Sequence, residues 1–282
     1  MTRIISTSLT SDWRAHIDQD VQYQTLSDLE NGHVLFFPQM NFPLDAHEHS
    51  LLSATVDGKR KNISMDISKP SAGSLHGMML RFAHCSDTLL QNLLPHYKNN
   101  LIQGRTSFRP VEIAGRTSSW RKDDTRLHVD SFPATPVQDK RILRIFTNIN
   151  PQGKSRVWRV GEPFEQVAAR FIPSIHKPLP GSSTVLRLLN ITKSMRSEYD
   201  HTMLQLHDRM KADLDYQTHA TQTTFEFPAG STWMVYTDQV SHAAMAGQHV
   251  LEQTFYLPVT AMQNPQQSPL RVLERLTNRQ LT

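Results

Sequence analysis

Two stretches of this chain carry residue types that could share one metal ion. The first is Leu127-His128-Val129-Asp130-Ser131, an HxD triplet. The second is Thr237-Asp238-Gln239-Val240-Ser241-His242-Ala243-Ala244-Met245. Side chains alternate along extended backbone, so His128 and Asp130 would point to the same side. A third ligand from His242 would complete a two-histidine, one-carboxylate face, leaving the remaining positions of an octahedral ion open. Non-haem Fe(II) oxygenases need that opening, because a cosubstrate and O₂ must both reach the metal. The two stretches lie far apart in sequence, so folding has to join them. His249 is a rival third ligand, but it follows Gly247-Gln248 in what reads as a turn. His84, His96, His176, His201, His207 and His219 read as surface or structural residues. An HxD triplet alone also arises by chance in a chain with 14 histidines, so the surrounding elements have to carry the argument.

Those elements are legible in part. Residues 12–31 start with a short helix, and Val34-Leu35-Phe36-Phe37 reads as a buried strand stopped by Pro38. The spacing of leucines after Ser86 predicts a helix over 86–103. Between Gly104 and Asp124 lies a basic stretch with Arg105, Arg109, Arg116, Arg121 and Lys122 and little regular patterning. From Arg126 onward the texture turns to strands: Arg141 to Ile149 ahead of the Asn150-Pro151 turn, then Ser155 to Gly161. Helical patterning returns around Pro163 to Phe171 and Thr202 to Leu214. Thr223 to Pro228 and Ser231 to Tyr236 flank the Ala229-Gly230 turn, and Val250 to Leu257 forms a long last strand. The expected fold is mainly β with flanking helices (α+β): a double-stranded β-helix, the jelly-roll or cupin-like barrel. One domain is expected over 1–282, with supporting elements over about 1–104 and the jelly-roll core over about 105–265.

Bulk properties narrow the class. The 282 residues carry a formal net charge of +4 and 38% hydrophobic residues, as a globular enzyme would. This balance suits an anionic partner and gives no reason to expect nucleic acid. The single cysteine, Cys85, excludes an intrachain disulfide and agrees with a reducing compartment. The N-terminus lacks the apolar core of a signal segment, and no window is apolar enough to span a bilayer. A cytoplasmic protein is expected, with peripheral contact at the cytoplasmic face of the inner membrane compatible with its basic face. Oligomeric state is not legible.

The order of HVDSFP, RILRIFTNINP, RVWRVGEPF, FPAGSTWMVYTDQVSHAAMAG and LEQTFYLP resembles the Kdo hydroxylases. These are bacterial Fe(II)- and 2-oxoglutarate-dependent dioxygenases acting on 3-deoxy-manno-octulosonic acid (Kdo) of the lipopolysaccharide inner core. The resemblance runs from about residue 30 to residue 265. It implies hydroxylation of carbon 3 of Kdo on lipid A or a precursor, with Fe(II), 2-oxoglutarate and O₂ consumed to give succinate and CO₂. It also implies that His128, Asp130 and His242 are the iron ligands. Many such enzymes place an arginine on the strand after the second histidine to hold the distal carboxylate of 2-oxoglutarate. This chain departs from that pattern, with Glu252 and Gln253 in that place. Another branch uses a basic residue on a strand soon after HxD, which points to Arg144. A guanidinium facing a barrel interior needs an anionic partner, and a dicarboxylate can supply one. Asn148 and Gln253 are secondary candidates for the cosubstrate. For the acidic substrate the candidates are Arg126, Arg116, Arg121 and Arg159, with Arg156 beside Trp158 as a further one. The competing readings are a 2-oxoglutarate oxygenase acting on a protein or other small molecule, a cupin-like metal enzyme without 2-oxoglutarate, and a non-enzymatic jelly-roll binding module.

Overall fold

The computed structural model describes residues 1–7, 12–53, 62–66, 69 and 73–282. In chain order its elements begin with β1 (Ile4–Ser6), α1 (Gln19–Glu30), β2 (Val34–Phe37), β3 (Ile63–Met65), α2 (Ser74–Leu93), β4 (Ile102–Arg109), β5 (Lys140–Asn148) and β6 (Arg156–Val160). They continue with α3 (Phe164–Phe171), α4 (Ser182–Leu188), α5 (Glu198–Ala212), α6 (Leu214–His219), β7 (Thr223–Phe227), β8 (Thr232–Tyr236), β9 (His242–Ala246), β10 (Val250–Pro258) and α7 (Pro269–Thr277).

β5 shows why two layers form around it. Its run of Ile142, Leu143, Ile145 and Phe146 is buried on both faces, as expected of a central strand covered on either side. It pairs antiparallel with β8 and β10 inside a seven-stranded sheet of order β1-β2-β8-β5-β10-β4-β3. Leu143, Ile145, Met234 and Leu251 join the buried leucines and methionines of α1 and α2 on the outer face. Phe146 and Trp233 point the other way and meet Trp158 and Phe227 of a second sheet, β7-β6-β9. These four rings stack or meet edge to face at 4.2–5.7 Å between centroids, distances at which aromatic pairs attract. This is the jelly-roll arrangement of two facing sheets backed by helices. No helix among the described residues is long and apolar enough to cross a membrane.

Two local expectations give way. The helix expected over 86–103 is instead α2, which begins at Ser74 and ends at Leu93. Pro95 cannot continue it, and β4 starts at Ile102. The basic stretch is partly regular: β4 runs through Arg105 and Arg109, pairing with β10 and β3. β7 and β8, which flank the Ala229-Gly230 turn as expected, belong to different sheets. The Ala229-Gly230 turn carries the chain from the small sheet to the large one, so the same local turn signal served a crossing between layers.

One buried ion pair controls the turn before β9. Arg141 is fully buried on β5 and donates to Asp238 from Nε (2.7 Å) and Nη2 (3.3 Å) and to Gln239 Oε1 (2.6 Å). Its guanidinium also lies 3.9 Å from the ring centre of Tyr236. Asp238 and Gln239 belong to the turn that delivers His242, so Arg141 ties that turn to the central strand. Replacing Arg141 with alanine leaves Asp238 buried without its cation. Denaturant unfolding should then show a loss of about 3–5 kcal/mol. A loss below about 1 kcal/mol would mean that the pair does not hold the turn.

Candidate metal centre

His128 and Asp130 lie in an extended segment that is not a regular strand. His128 makes one isolated antiparallel bridge with His242: His128 N donates to His242 O (3.0 Å) and His242 N to His128 O (2.9 Å). Asp130 N donates to Thr237 O at 2.8 Å. On the other side no strand among the described residues pairs with this segment, and the Gln217 amide of α6 takes that place. Leu127 N donates to Gln217 Oε1 (2.7 Å), and Gln217 Nε2 donates to Leu127 O (2.9 Å). The bridge sets the two imidazoles side by side, with ring centres 4.7 Å apart.

The donor chemistry fits a divalent cation. His128 Nδ1 lies 2.7 Å from Arg126 O, and His242 Nδ1 lies 2.8 Å from Val240 O. Because a carbonyl can only accept, each Nδ1 carries the proton and each Nε2 keeps its lone pair for a ligand. Burial lowers the basicity of both rings, and each is held in its neutral form; for His128 the neighbouring His242 and Lys211 add to the effect. Burial alone would raise the Asp130 carboxyl, but the Arg144 guanidinium beside it outweighs that and holds Asp130 ionised. One ligand atom from each of His128, Asp130 and His242 falls within 4.8 Å of the others. Trp158 stacks on His242 at 5.0 Å and 22° and fixes its ring plane.

These three residues open onto a cavity of about 770 Å³. Strand alternation builds its wall: Arg105, Ser107 and Arg109 from β4, Arg144 and Phe146 from β5, Arg156 and Trp158 from β6, and Glu252, Thr254 and Tyr256 from β10. Arg105 and Lys193 are exposed and mark the rim, whereas Arg144 and Arg156 are buried at the floor. Arg144 Nη1 sits 3.0 Å from Asp130 Oδ2, and its Nε sits 3.6 Å from Glu252 Oε1. Arg109 Nε donates to Glu252 Oε2 at 2.8 Å. Arg156 differs. It makes no ion pair among the described residues; its Nη1 donates to the Gly247 carbonyl at 2.7 Å, and its buried Nε, like that of Arg144, has no hydrogen-bond partner. Burial, with the Arg109 charge beside it, pulls the Arg156 guanidinium down to about 9. A Cβ on Gly247, which has φ +102°, would lie 2.8 Å from Ser155 O and 2.9 Å from Arg156 Cα. Only glycine lets this turn bring its carbonyl to Arg156.

Several residues singled out by pattern face elsewhere. Asn148 is buried with its amide spent on the Lys154 and Phe227 carbonyls and on Asn150 N. Gln253 points away from Glu252 and Thr254, with its amide bonded to Thr106, Gly104 and Thr254. Arg126 turns from the metal ligands to Asp123 and the Lys211 carbonyl, because Arg126 and His128 are not on a paired strand. Arg121 pairs with Asp208 at the surface. Arg159, on the other face of β6 from Arg156 and Trp158, donates to Thr125 O. Arg116 is also absent from the cavity wall. His249 is capped against Phe108 in a positive-φ turn and does not reach the metal face. Arg156, Glu252 and Gln217 carry the site's support. Arg156 was legible as a candidate beside Trp158, and strand alternation would put the two on one face, but no spacing rule announces Gln217.

Two facing sheets that present two imidazoles and a carboxylate to a deep cationic cavity define a non-haem Fe(II)- and 2-oxoglutarate-dependent dioxygenase. Comparison with known proteins agrees. Residues 12–280 match the profile of the 3-deoxy-D-manno-oct-2-ulosonic acid (Kdo) hydroxylase family, and the chain belongs to that family. It is similar to the crystal structure of the Kdo hydroxylase KdoO, a non-haem Fe(II) α-ketoglutarate-dependent dioxygenase, in complex with cobalt(II). That match has 48% identity and a TM-score of 0.94 over 99% of this chain and 97% of that one. The KdoO complex with α-ketoglutarate and Fe(III) matches at 47% identity and TM-score 0.94, covering 100% and 98% of the two chains. The complex with succinate and Fe(III) matches at 48% and 0.93, covering 99% and 97%. No curated protein matches the chain.

Proposed function

We propose that the protein hydroxylates carbon 3 of a Kdo residue linked to lipid A or its precursor, using His128, Asp130 and His242 as the iron ligands. The observation that carries the reading is a three-ligand face inside a cavity whose wall holds four arginines and a rim lysine. Such a wall suits a dicarboxylate at the floor and an acidic sugar at the rim. When bound, Fe(II) with 2-oxoglutarate supplies oxidising power, turning O₂ and the cosubstrate into succinate, CO₂ and one oxygen atom for a substrate C–H bond.

The chain's own residues set where this happens. Arg144 grips Asp130 Oδ2 and leaves Oδ1 on the side of His128 Nε2, 3.7 Å away, which favours single-oxygen ligation. Arg156 is the floor cation with no carboxylate partner among the described residues, so it takes the distal carboxylate of 2-oxoglutarate, with Arg109 beside it steered by Glu252. This moves the clamp from Arg144 to Arg156 and gives Arg144 the orientation of the metal-bound carboxylate. Arg105 and Lys193 meet the Kdo carboxylate at the rim. Phe146 and Trp158 line the floor with apolar surface and keep water from the reacting face. The enzyme acts at the cytoplasmic face of the inner membrane, where such an acceptor is exposed.

The test is incubation with Kdo-bearing lipid A precursor, Fe(II), ascorbate and 2-oxoglutarate. The expected product is heavier by one oxygen atom, with succinate formed in equal amount. Succinate without an oxygenated sugar would remove the acceptor and leave the dioxygenase class intact.

A further inference from the structure

Half of the large apolar side chains exposed among the described residues fall in one short segment: Leu179, Val185, Leu188, Leu189, Ile191 and Met195. Leu179 and Leu188 are 78% and 75% exposed. This exposure is built into the fold. Ser183, on the inner side of α4, donates to Arg196 O (2.8 Å) and accepts from Arg196 N (2.7 Å). Val185, Leu188 and Leu189, at helical i, i+3 and i+4 spacing, therefore share the opposite, outward face. The surrounding stretch from Phe171 to Ser197 holds Lys177, Arg187, Lys193 and Arg196 and no acidic residue.

The patch adjoins the cavity. Lys193 lines the rim, and its backbone N donates to Ala134 O at 2.9 Å. Arg196 Nη2 donates to Pro133 O at 2.8 Å, so two bonds fasten the segment to the loop after the metal ligands. A contiguous apolar patch on a soluble protein marks a contact surface. Protein interfaces are depleted in lysine at their cores. A patch that mixes leucines with cations alone instead complements an anionic bilayer, in which long basic side chains reach the headgroups while the apolar face enters the acyl boundary.

We propose that the 179–195 segment docks the protein on an anionic lipid bilayer. Leu188 and Leu189 enter the acyl boundary, Lys177 and Arg187 meet headgroup phosphates, and the cavity rim turns toward the membrane. The inference rests on the lipid-linked acceptor proposed above, since such a sugar must reach the iron while its acyl chains stay in the bilayer.

The experiment is co-sedimentation of the iron-loaded, full-length enzyme with phosphatidylcholine vesicles, with and without phosphatidylglycerol. Wild-type protein should pellet with the anionic vesicles. The double variant Leu188→Ser with Leu189→Ser should lose at least about tenfold in partitioning. Lys177→Gln with Arg187→Gln should show a similar loss and a weaker dependence on salt. Both double variants should keep wild-type turnover on a deacylated, water-soluble Kdo acceptor and slow on the vesicle-embedded one. Undiminished vesicle binding by the leucine variant overturns the proposal. So does a wild-type dimer in light scattering that the leucine substitutions convert to monomer, because the patch is then an interface between two copies. Leucine-dependent vesicle binding with neither acceptor hydroxylated supports the docking surface and removes the acceptor reading instead.

Discussion

Asp130→Ala should abolish catalysis, with kcat/KM falling on the order of a thousandfold or more, equivalent to about 4 kcal/mol of transition-state stabilisation. The carboxylate is the single anionic donor among the three proposed ligands, so its removal should weaken both the charge complement and the facial geometry that would keep Fe(II) in place. The substitution also strands Arg144, whose Nη1 lies 3.0 Å from Asp130 Oδ2 and whose next partner is Glu252 at 3.6 Å. Iron stoichiometry under chelator competition is therefore measured alongside activity, and circular dichroism checks the fold. Asp130→Asn keeps the side-chain shape and loses the charge, which separates ligation from packing. Full iron occupancy and wild-type turnover in Asp130→Ala would remove Asp130 from the ligand set.

The second large effect is expected at Arg156, where the direction of the stability change is as informative as the kinetics. Arg156→Met should raise the KM for 2-oxoglutarate on the order of a hundredfold, the scale found when one partner of a buried charge pair is truncated. Lysine should restore little, because it presents one point charge where a carboxylate meets a planar fork. In the ligand-free protein this arginine is buried with one carbonyl partner and a bare Nε. Replacing a poorly compensated buried cation by an apolar side chain of similar volume is neutral or stabilising. The Tm of ligand-free Arg156→Met should thus match or exceed that of the wild type, while the added stabilisation by 2-oxoglutarate disappears. A purely structural arginine would give the opposite result, a lower Tm with the KM unchanged. An unchanged KM in Arg156→Met together with a raised KM in Arg144→Ala would return the clamp to Arg144.

The family and the reaction class could be read from the order of short motifs along the chain, although His128 and Asp130 meet His242 only through folding. HVDSFP, the RILRIFTNINP strand and FPAGSTWMVYTDQVSHAAMAG carry their types and spacing in linear order, and the chain belongs to the family they resemble. The strands over Arg141 to Ile149 and Ser155 to Gly161 were legible for the same reason, but the burial of β5 on both faces was not, since a period of two is a property of the strand and cover on its second face is not. Alternation puts Arg156 and Trp158 on one face. It could not tell which face looked into the barrel, because that depends on the partner sheet.

The rest was settled by contacts between segments remote in sequence. Glu252 stands where many relatives in the wider class place a basic residue, which reads as a defect until β4 brings Arg109 beside it and β5 brings Arg144. Arg126 stands beside the HxD triplet and Arg121 in the basic stretch before it, but Asp123 and Asp208 claim them. Gln217 supports Leu127 from a helix that no pattern links to the metal ligands. Residue type and short-range periodicity thus pointed to the candidate ligands, most of the strands and the reaction class, because those depend on each residue's own chemistry and its nearest neighbours along the chain. Charge pairing and access to the cavity emerged only in the folded chain. A guanidinium's role depends on which carboxylate reaches it first, and for Arg144, Arg109 and Arg156 that is decided by the antiparallel register of strands far apart in sequence.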